Sequence, residues 1–117
     1  MKRSEDELLR FIAASFPSVW ALELLLALKQ DPRPHSREEL VSTLRASELV
    51  ITKALDALLS GGLVSLEEGG VVYMPASADV AATLDAVERM YRSRPDKVRR
   101  AIISAAAGGA TAFAEAF

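Results

Sequence analysis

The residues able to do chemistry in this chain are cations with nothing catalytic around them. Arg33, His35, Arg37 and Arg45 fall in one short stretch, Ser47, Thr52 and Lys53 come directly after it, and Arg89, Arg92, Arg94, Lys97, Arg99 and Arg100 make the densest charged run. Guanidinium and ammonium groups beside hydroxyls bind anions, above all phosphate and carboxylate oxygens. Bond-making chemistry lacks its parts. There is no cysteine and only one histidine, so thiol catalysis, disulfides and the usual Cys or His zinc sets are excluded. No Ser/His/Asp grouping stands in a motif context, and no glycine-rich phosphate loop or carboxylate pair at metal-ligand spacing occurs. Glu38-Glu39 opens a helix and Glu67-Glu68 sits in a turn. The expectation is a non-enzyme with no catalytic residue, no metal and no cofactor.

The charge balance tempers the anion-binding reading. The chain is −2 overall, which is not the basic balance of a nucleic-acid binder. Residues 1–16 are neutral, residues 17–76 set five positive charges against eight negative, and residues 77–117 set six positive against five negative. All six of those last positives lie between Arg89 and Arg100, with only Asp96 among them. At 117 residues, half hydrophobic and a quarter charged, the chain suits one globular domain with one core. Met1-Lys-Arg-Ser-Glu-Asp-Glu7 has a basic pair but no apolar run behind it, and Leu24–Leu28 is too short to cross a bilayer. A cytoplasmic location without a membrane partner is the expectation.

The elements that must position these cations follow from caps and periodicity. Ser4-Glu-Asp-Glu7 is a capping box for a short helix carrying Leu8, Leu9, Phe11 and Ile12, which Pro17 ends. Ser18 opens a helix from Val19 to about Gln30 that is apolar nearly all round, so it should be the central helix, touching the domain core and either the N-terminal helix or a second subunit. Asp31-Pro-Arg-Pro34 blocks helix. Ser36 to Glu39 is a second capping box, for a helix with Leu40, Val41 and Leu44 inward; Ala46-Ser47 turns the chain, and a helix from Ser47 stops at Gly61-Gly62. Leu63–Leu66 and Val71–Met74 are strand-like, joined by a Glu67-Glu-Gly-Gly70 hairpin loop. Ser77 caps a helix whose Val80, Leu84, Val87 and Tyr91 form one stripe; Ser93-Arg-Pro95 interrupts it, Asp96 to Ala107 resumes, and Gly108-Gly109 should break it before an Ala-rich tail.

Ser36 to Pro75 thus reads as helix, short turn, helix, Gly-Gly and a hairpin, the order of a winged helix-turn-helix. The fold expected is mainly α with a small β-hairpin (α+β): a single domain over 1–117, with an N-terminal helix at 4–16, the helix-turn-helix and wing at 18–76, and C-terminal helices at 77–117. Glu39-Leu-Val-Ser-Thr-Leu44 and Ala54-Leu-Asp-Ala-Leu-Leu-Ser-Gly-Gly-Leu-Val64 resemble the bacterial winged-helix regulators, MarR-like and ArsR-like proteins among them, over residues 18 to about 92. More narrowly, Ser18-Val-Trp-Ala-Leu-Glu-Leu-Leu-Leu26, Val87-Glu-Arg-Met-Tyr-Arg-Ser-Arg-Pro95 and the Ala-Phe-Ala-Glu-Ala-Phe tail look like a proteobacterial winged-helix group of undefined role.

The resemblance implies that residues 47–60 form the recognition helix, with Ser47, Thr52 and Lys53 as its plausible base readers. Arg33, His35, Arg37 and Arg45 are candidate phosphate clamps, and Arg92, Arg94 and Lys97 in the basic run would lie on DNA backbone or an acidic partner. Against each stands the plainer alternative of a solvated surface. The wing tip, Glu67-Glu68, is of the wrong sign for phosphate. Such regulators often dimerise through terminal helices, which here offers Leu8, Ile12, Leu84, Val87 and Tyr91 as a homodimer interface. The leading expectation is a dimeric regulator binding double-stranded DNA. The alternative is a winged-helix protein-interaction module using an apolar Leu49/Val50 face or the basic run. A weaker third is a ligand sensor with an apolar pocket beside Trp20, where no polar group can be named from sequence.

Overall fold

The structure, a computed structural model, describes residues 4–115, with side chains described through residue 107. Six helices and one hairpin follow in order: α1 Glu5–Ser15, α2 Val19–Gln30, α3 Arg37–Leu44, α4 Glu48–Ser60, β1 Val64–Glu67, β2 Gly70–Tyr73, α5 Ala78–Ser93 and α6 Pro95–Glu115. The chain is mainly helical with a small antiparallel sheet, as its sequence pattern implies.

Serine starts five of the six helices. Ser4, Ser18, Ser36, Ser47 and Ser77 each accept a hydrogen bond through Oγ from the amide three residues on, at 3.1–3.2 Å. Each satisfies an amide that the helix leaves unpaired, contributing about 1 kcal/mol. The sixth helix begins on Pro95, whose missing N–H costs nothing at that position.

Helix α2 is central, packing on α3, α4, β2 and α6. Its Ala21, Leu22, Leu24, Leu25 and Leu28 are fully enclosed, which explains why it lacks a polar face. From α4, Ile51, Ala54, Leu55 and Leu58 enter the same core, joined by Leu40 of α3 and by Leu63, Val64 and Val71 at the hairpin. Helices α1, α5 and α6 pack on one another, and they bring Ile12, Phe16, Leu84, Val87, Val98 and Ile102 into that core. The terminal helices therefore complete one domain.

Three local departures from the sequence reading have simple causes. The hairpin loop is tighter than expected: Glu67 and Gly70 pair as the last rung, leaving Glu68-Gly69 as a two-residue loop with Gly69 at φ 94. The segment before α3 also joins the hairpin. The backbones of His35 and Val71 exchange two N–H···O bonds of 2.9 Å, and a Cβ on Gly70 would lie 2.1 Å from the His35 carbonyl oxygen. Gly70, at φ 138, is the only residue type that lets the chains meet there. Lastly, α6 runs through Gly108-Gly109 to Glu115 instead of breaking. A glycine costs an α-helix about 1 kcal/mol relative to alanine, and alanines, the best helix formers, flank this pair.

Candidate nucleic-acid interface

The turn between α3 and α4 is the sharpest local feature. Helix α3 ends in Arg45, a residue with φ 53 and ψ 40, in the left-handed region that side chains other than Gly and Asn rarely occupy. Ala46 follows, its amide donating to Val41 O at 3.3 Å. Ser47 then caps α4. Arg45 therefore projects from the hinge of the two helices while Arg37 occupies the first turn of α3. On α4, Glu48, Leu49, Lys53 and Asp56 are exposed and Val50 and Thr52 half-buried, with Ile51, Ala54 and Leu55 inward. Of the two residues expected to leave an apolar contact on this face, Leu49 is the exposed one, at 63%.

The cations of the chain divide into two groups. Arg33 is held by Asp31 at 3.0 Å and by Glu39, and the Glu39 hydrogen bond keeps its guanidinium above the usual arginine range. His35 is buried, with Nε2 at 2.8 Å from Asp31 O and Nδ1 at 3.4 Å from a Glu39 oxygen. His35 is thus enclosed, and Arg33, although its side chain is 54% exposed, already holds two carboxylates. The basic run is also largely consumed. Arg94 and Lys97 both bind Glu5 of α1, Arg92 binds Glu88 at 3.2 Å, and Arg99 meets Asp96 at 3.5 Å while lying 5.4 Å from the Tyr91 ring centre. The Lys97 hydrogen bond, above all, holds the Glu5 carboxyl below its ordinary range. Arg92, Arg94 and Lys97 thus bind carboxylates of this chain, contrary to the expectation of free phosphate contacts.

Arg37, Arg45 and Lys53 differ, as do Arg10, Arg89 and Arg100: all six are exposed, and none has an ion-pair partner among the described residues. Of these, Arg37, Arg45 and Lys53 sit on α3, the turn that follows it and α4. The Ser47 oxygen accepts from Val50 N, and its hydroxyl keeps one hydrogen to donate. Thr52 is half-buried beside Lys53. At the hairpin, Glu67 and Glu68 are exposed, with Ser65 Oγ 3.2 Å from Glu67.

The five proposed interface residues of the terminal helices lie elsewhere than expected. Leu8, Ile12, Leu84, Val87 and Tyr91 are all buried, at 0–8% exposure, inside the single chain. The stripe on α5 is real, but α1, α6 and the body of the domain already cover it, so these side chains offer no surface to a second copy.

The surroundings of Trp20 hold what sequence could not supply. Trp20, 42% exposed, lines a cleft of about 380 Å3 with Val19, Glu23, Thr43 and Leu44. Glu23 accepts a hydrogen bond from the Tyr91 hydroxyl. Burial first, and then this bond, raises the Tyr91 pKa. Glu23 was within one turn of Trp20 all along, a helical spacing that signals neighbourhood; Thr43 comes from another helix and no sequence signal placed it there.

No family model, curated protein or solved structure matches the chain. Among the described residues no group of Asp, Glu and His comes together to hold a metal ion, and no single helix is long and apolar enough to cross a membrane.

Proposed function

We propose that the chain is a winged helix-turn-helix that binds double-stranded DNA as a transcriptional regulator. Helices α2, α3 and α4, the turn at Arg45–Ser47, and a hairpin extended by the His35–Val71 bridge have the order and short connections of that motif. The observation that carries the DNA reading is that three of the six exposed and unpaired cations among the described residues, Arg37, Arg45 and Lys53, lie on the helix-turn-helix segment itself. Unpaired cations on α3, its turn and α4 are available to an external anion. On this reading α4 enters the major groove, Lys53 and Thr52 reach bases, Leu49 meets a thymine methyl, and Arg37, Arg45 and the Ser47 hydroxyl hold phosphates. Glu48 accepts from a cytosine amine, and the acidic hairpin tip stays off the DNA.

Two cationic phosphate contacts give a slope of log K against log salt of about −1.8, so affinity falls about 12-fold between 50 and 200 mM salt. Titration of generic duplex at several salt concentrations tests this; no binding at 50 mM salt refutes the reading. Leu49 of α4 and Leu66 of β1, exposed at 63% and 66%, support a second reading as a protein-docking module without DNA. In that case Leu49→Asp abolishes partner capture and duplex DNA has no effect.

A further inference from the structure

The cleft beside Trp20 combines features that the DNA reading does not use. Its floor is apolar, from Val19 and Leu44, one wall is the half-open indole of Trp20, and the polar groups are the Glu23 carboxylate and the Thr43 hydroxyl. Glu23 is half-buried, and no cation pairs with it among the described residues; its one hydrogen-bond donor is the neutral Tyr91 hydroxyl. The nearest resident cation in this network, Arg99, sits over the Tyr91 ring and pairs with Asp96. A partly buried carboxylate with a single neutral donor keeps acceptor capacity for a cation. The indole face attracts the same charge sign through its quadrupole. The last turn of α3, which supplies Thr43 and Leu44, adds the negative end of a helix dipole. Aromatic face, carboxylate and helix C-terminus all favour one class of guest.

We propose that the Trp20–Glu23 cleft binds a small organic cation, an ammonium group carried on an aromatic or alkyl body. The ammonium lies between the Trp20 ring and the Glu23 carboxylate, donating to Glu23 and to Thr43 Oγ, and the apolar body lies on Val19 and Leu44. Tyr91 is a positioning residue: by donating to one Glu23 oxygen it aims the carboxylate and leaves the other oxygen for the guest. A volume of about 380 Å3 is at the small end of the range for ligand pockets and suits a guest of roughly ten heavy atoms. Binding in this cleft does not depend on the DNA reading, since none of its residues is assigned to DNA.

Trp20 is the only tryptophan in the chain, so its fluorescence reports the cleft directly. The probes are phenethylammonium, 2-phenylethanol and 3-phenylpropionate, which share a ring and chain and differ in charge. Phenethylammonium should change the emission saturably with a dissociation constant on the order of 1 mM, as befits so small a ligand. The alcohol should bind about 10-fold more weakly, and the anion not measurably, the difference a single ion pair and cation–π contact make. Glu23→Gln should make amine and alcohol bind alike. Thr43→Arg, a change at an exposed position, places a resident cation at the cleft and should abolish amine binding with the thermal transition unchanged. Equal affinity of amine and alcohol in the unaltered protein overturns the proposal, as does amine affinity that survives both substitutions, or an emission that does not respond up to about 20-fold above the expected constant.

Discussion

Arg45 joins backbone strain to a proposed phosphate contact in one side chain, and substituting it separates the two. Its φ of 53 and ψ of 40 put a β-carbon in the left-handed region, which costs an ordinary L-residue about 1–2 kcal/mol. Arg45→Gly removes that cost and gives back about 0.5–1 kcal/mol through the greater freedom of glycine in the unfolded chain. The net expectation is a gain of about 0.5–1 kcal/mol, or a thermal midpoint higher by roughly 2–4 °C for a domain of this size. Arg45→Ala keeps the strain and, being exposed, changes stability by less than about 0.5 kcal/mol. Both variants lose the same charge. Each should reduce the salt-dependence slope of DNA binding by about 0.9 and the affinity at 0.1 M salt by about 8-fold. Glycine at this position therefore raises stability while it lowers affinity, and alanine lowers affinity alone. Thermal unfolding followed by circular dichroism, together with duplex titration by fluorescence anisotropy, measures both effects. A glycine variant no more stable than the alanine variant refutes the left-handed turn as a source of strain. Unchanged affinity in both removes Arg45 from the phosphate contacts.

Further outcomes follow from the division of charges and from the hairpin. Arg37→Ala should lower the salt slope by about 0.9 and Lys53→Ala should lower the preference for one base sequence, whereas the double change Arg94→Ala and Lys97→Ala should leave the slope unaltered, because both side chains lie against Glu5; a loss of slope in the double variant would return the basic run to the interface. Gly70→Ala should destabilise by at least about 2 kcal/mol, since the new β-carbon meets the His35 carbonyl and φ is 138; a neutral effect in urea unfolding would contradict the His35–Val71 bridge. Lys29 lies between Asp85 at 2.9 Å and Glu88 at 2.8 Å with its side chain 17% exposed, and the Glu88 hydrogen bond raises its pKa. Lys29→Met should cost about 1–2 kcal/mol at pH 7 by leaving Asp85 without a cation and Glu88 with Arg92 alone. A folded pKa above the unfolded value gives stability that is complete below about pH 10.4 and lost as pH rises through the folded value. Tyr73 and Tyr91, both raised first by burial, act in the same direction above about pH 10. The melting temperature should thus decline from about pH 10 upward, and Lys29→Met should make that decline shallower; an equal decline in the variant assigns it to the tyrosines alone.

Sequence alone decided the elements, because their determinants are local. A serine before a helix can be read from its spacing to the next apolar residues, and Ser4, Ser18, Ser36 and Ser77 all cap where that spacing placed them. The all-apolar character of Val19–Gln30 likewise required a central helix. The Gly108-Gly109 pair misled because glycine weakens a helix by about 1 kcal/mol without forbidding it. Tertiary structure decided everything that depends on what lies across the chain. Leu8 and Tyr91 carry the same apolar pattern whether they meet a partner or their own domain, and only the packing of α1, α5 and α6 showed the latter. Arg94 and Lys97 belong to a basic run in sequence, yet both donate to Glu5, some ninety residues away. His35 joins the hairpin through backbone groups that every residue type possesses, so no side chain announced it. Glu23 and Thr43 meet at Trp20 because α2 packs on α3. Charge and hydrophobicity are properties of residues, but their availability to a ligand is a property of the folded surface.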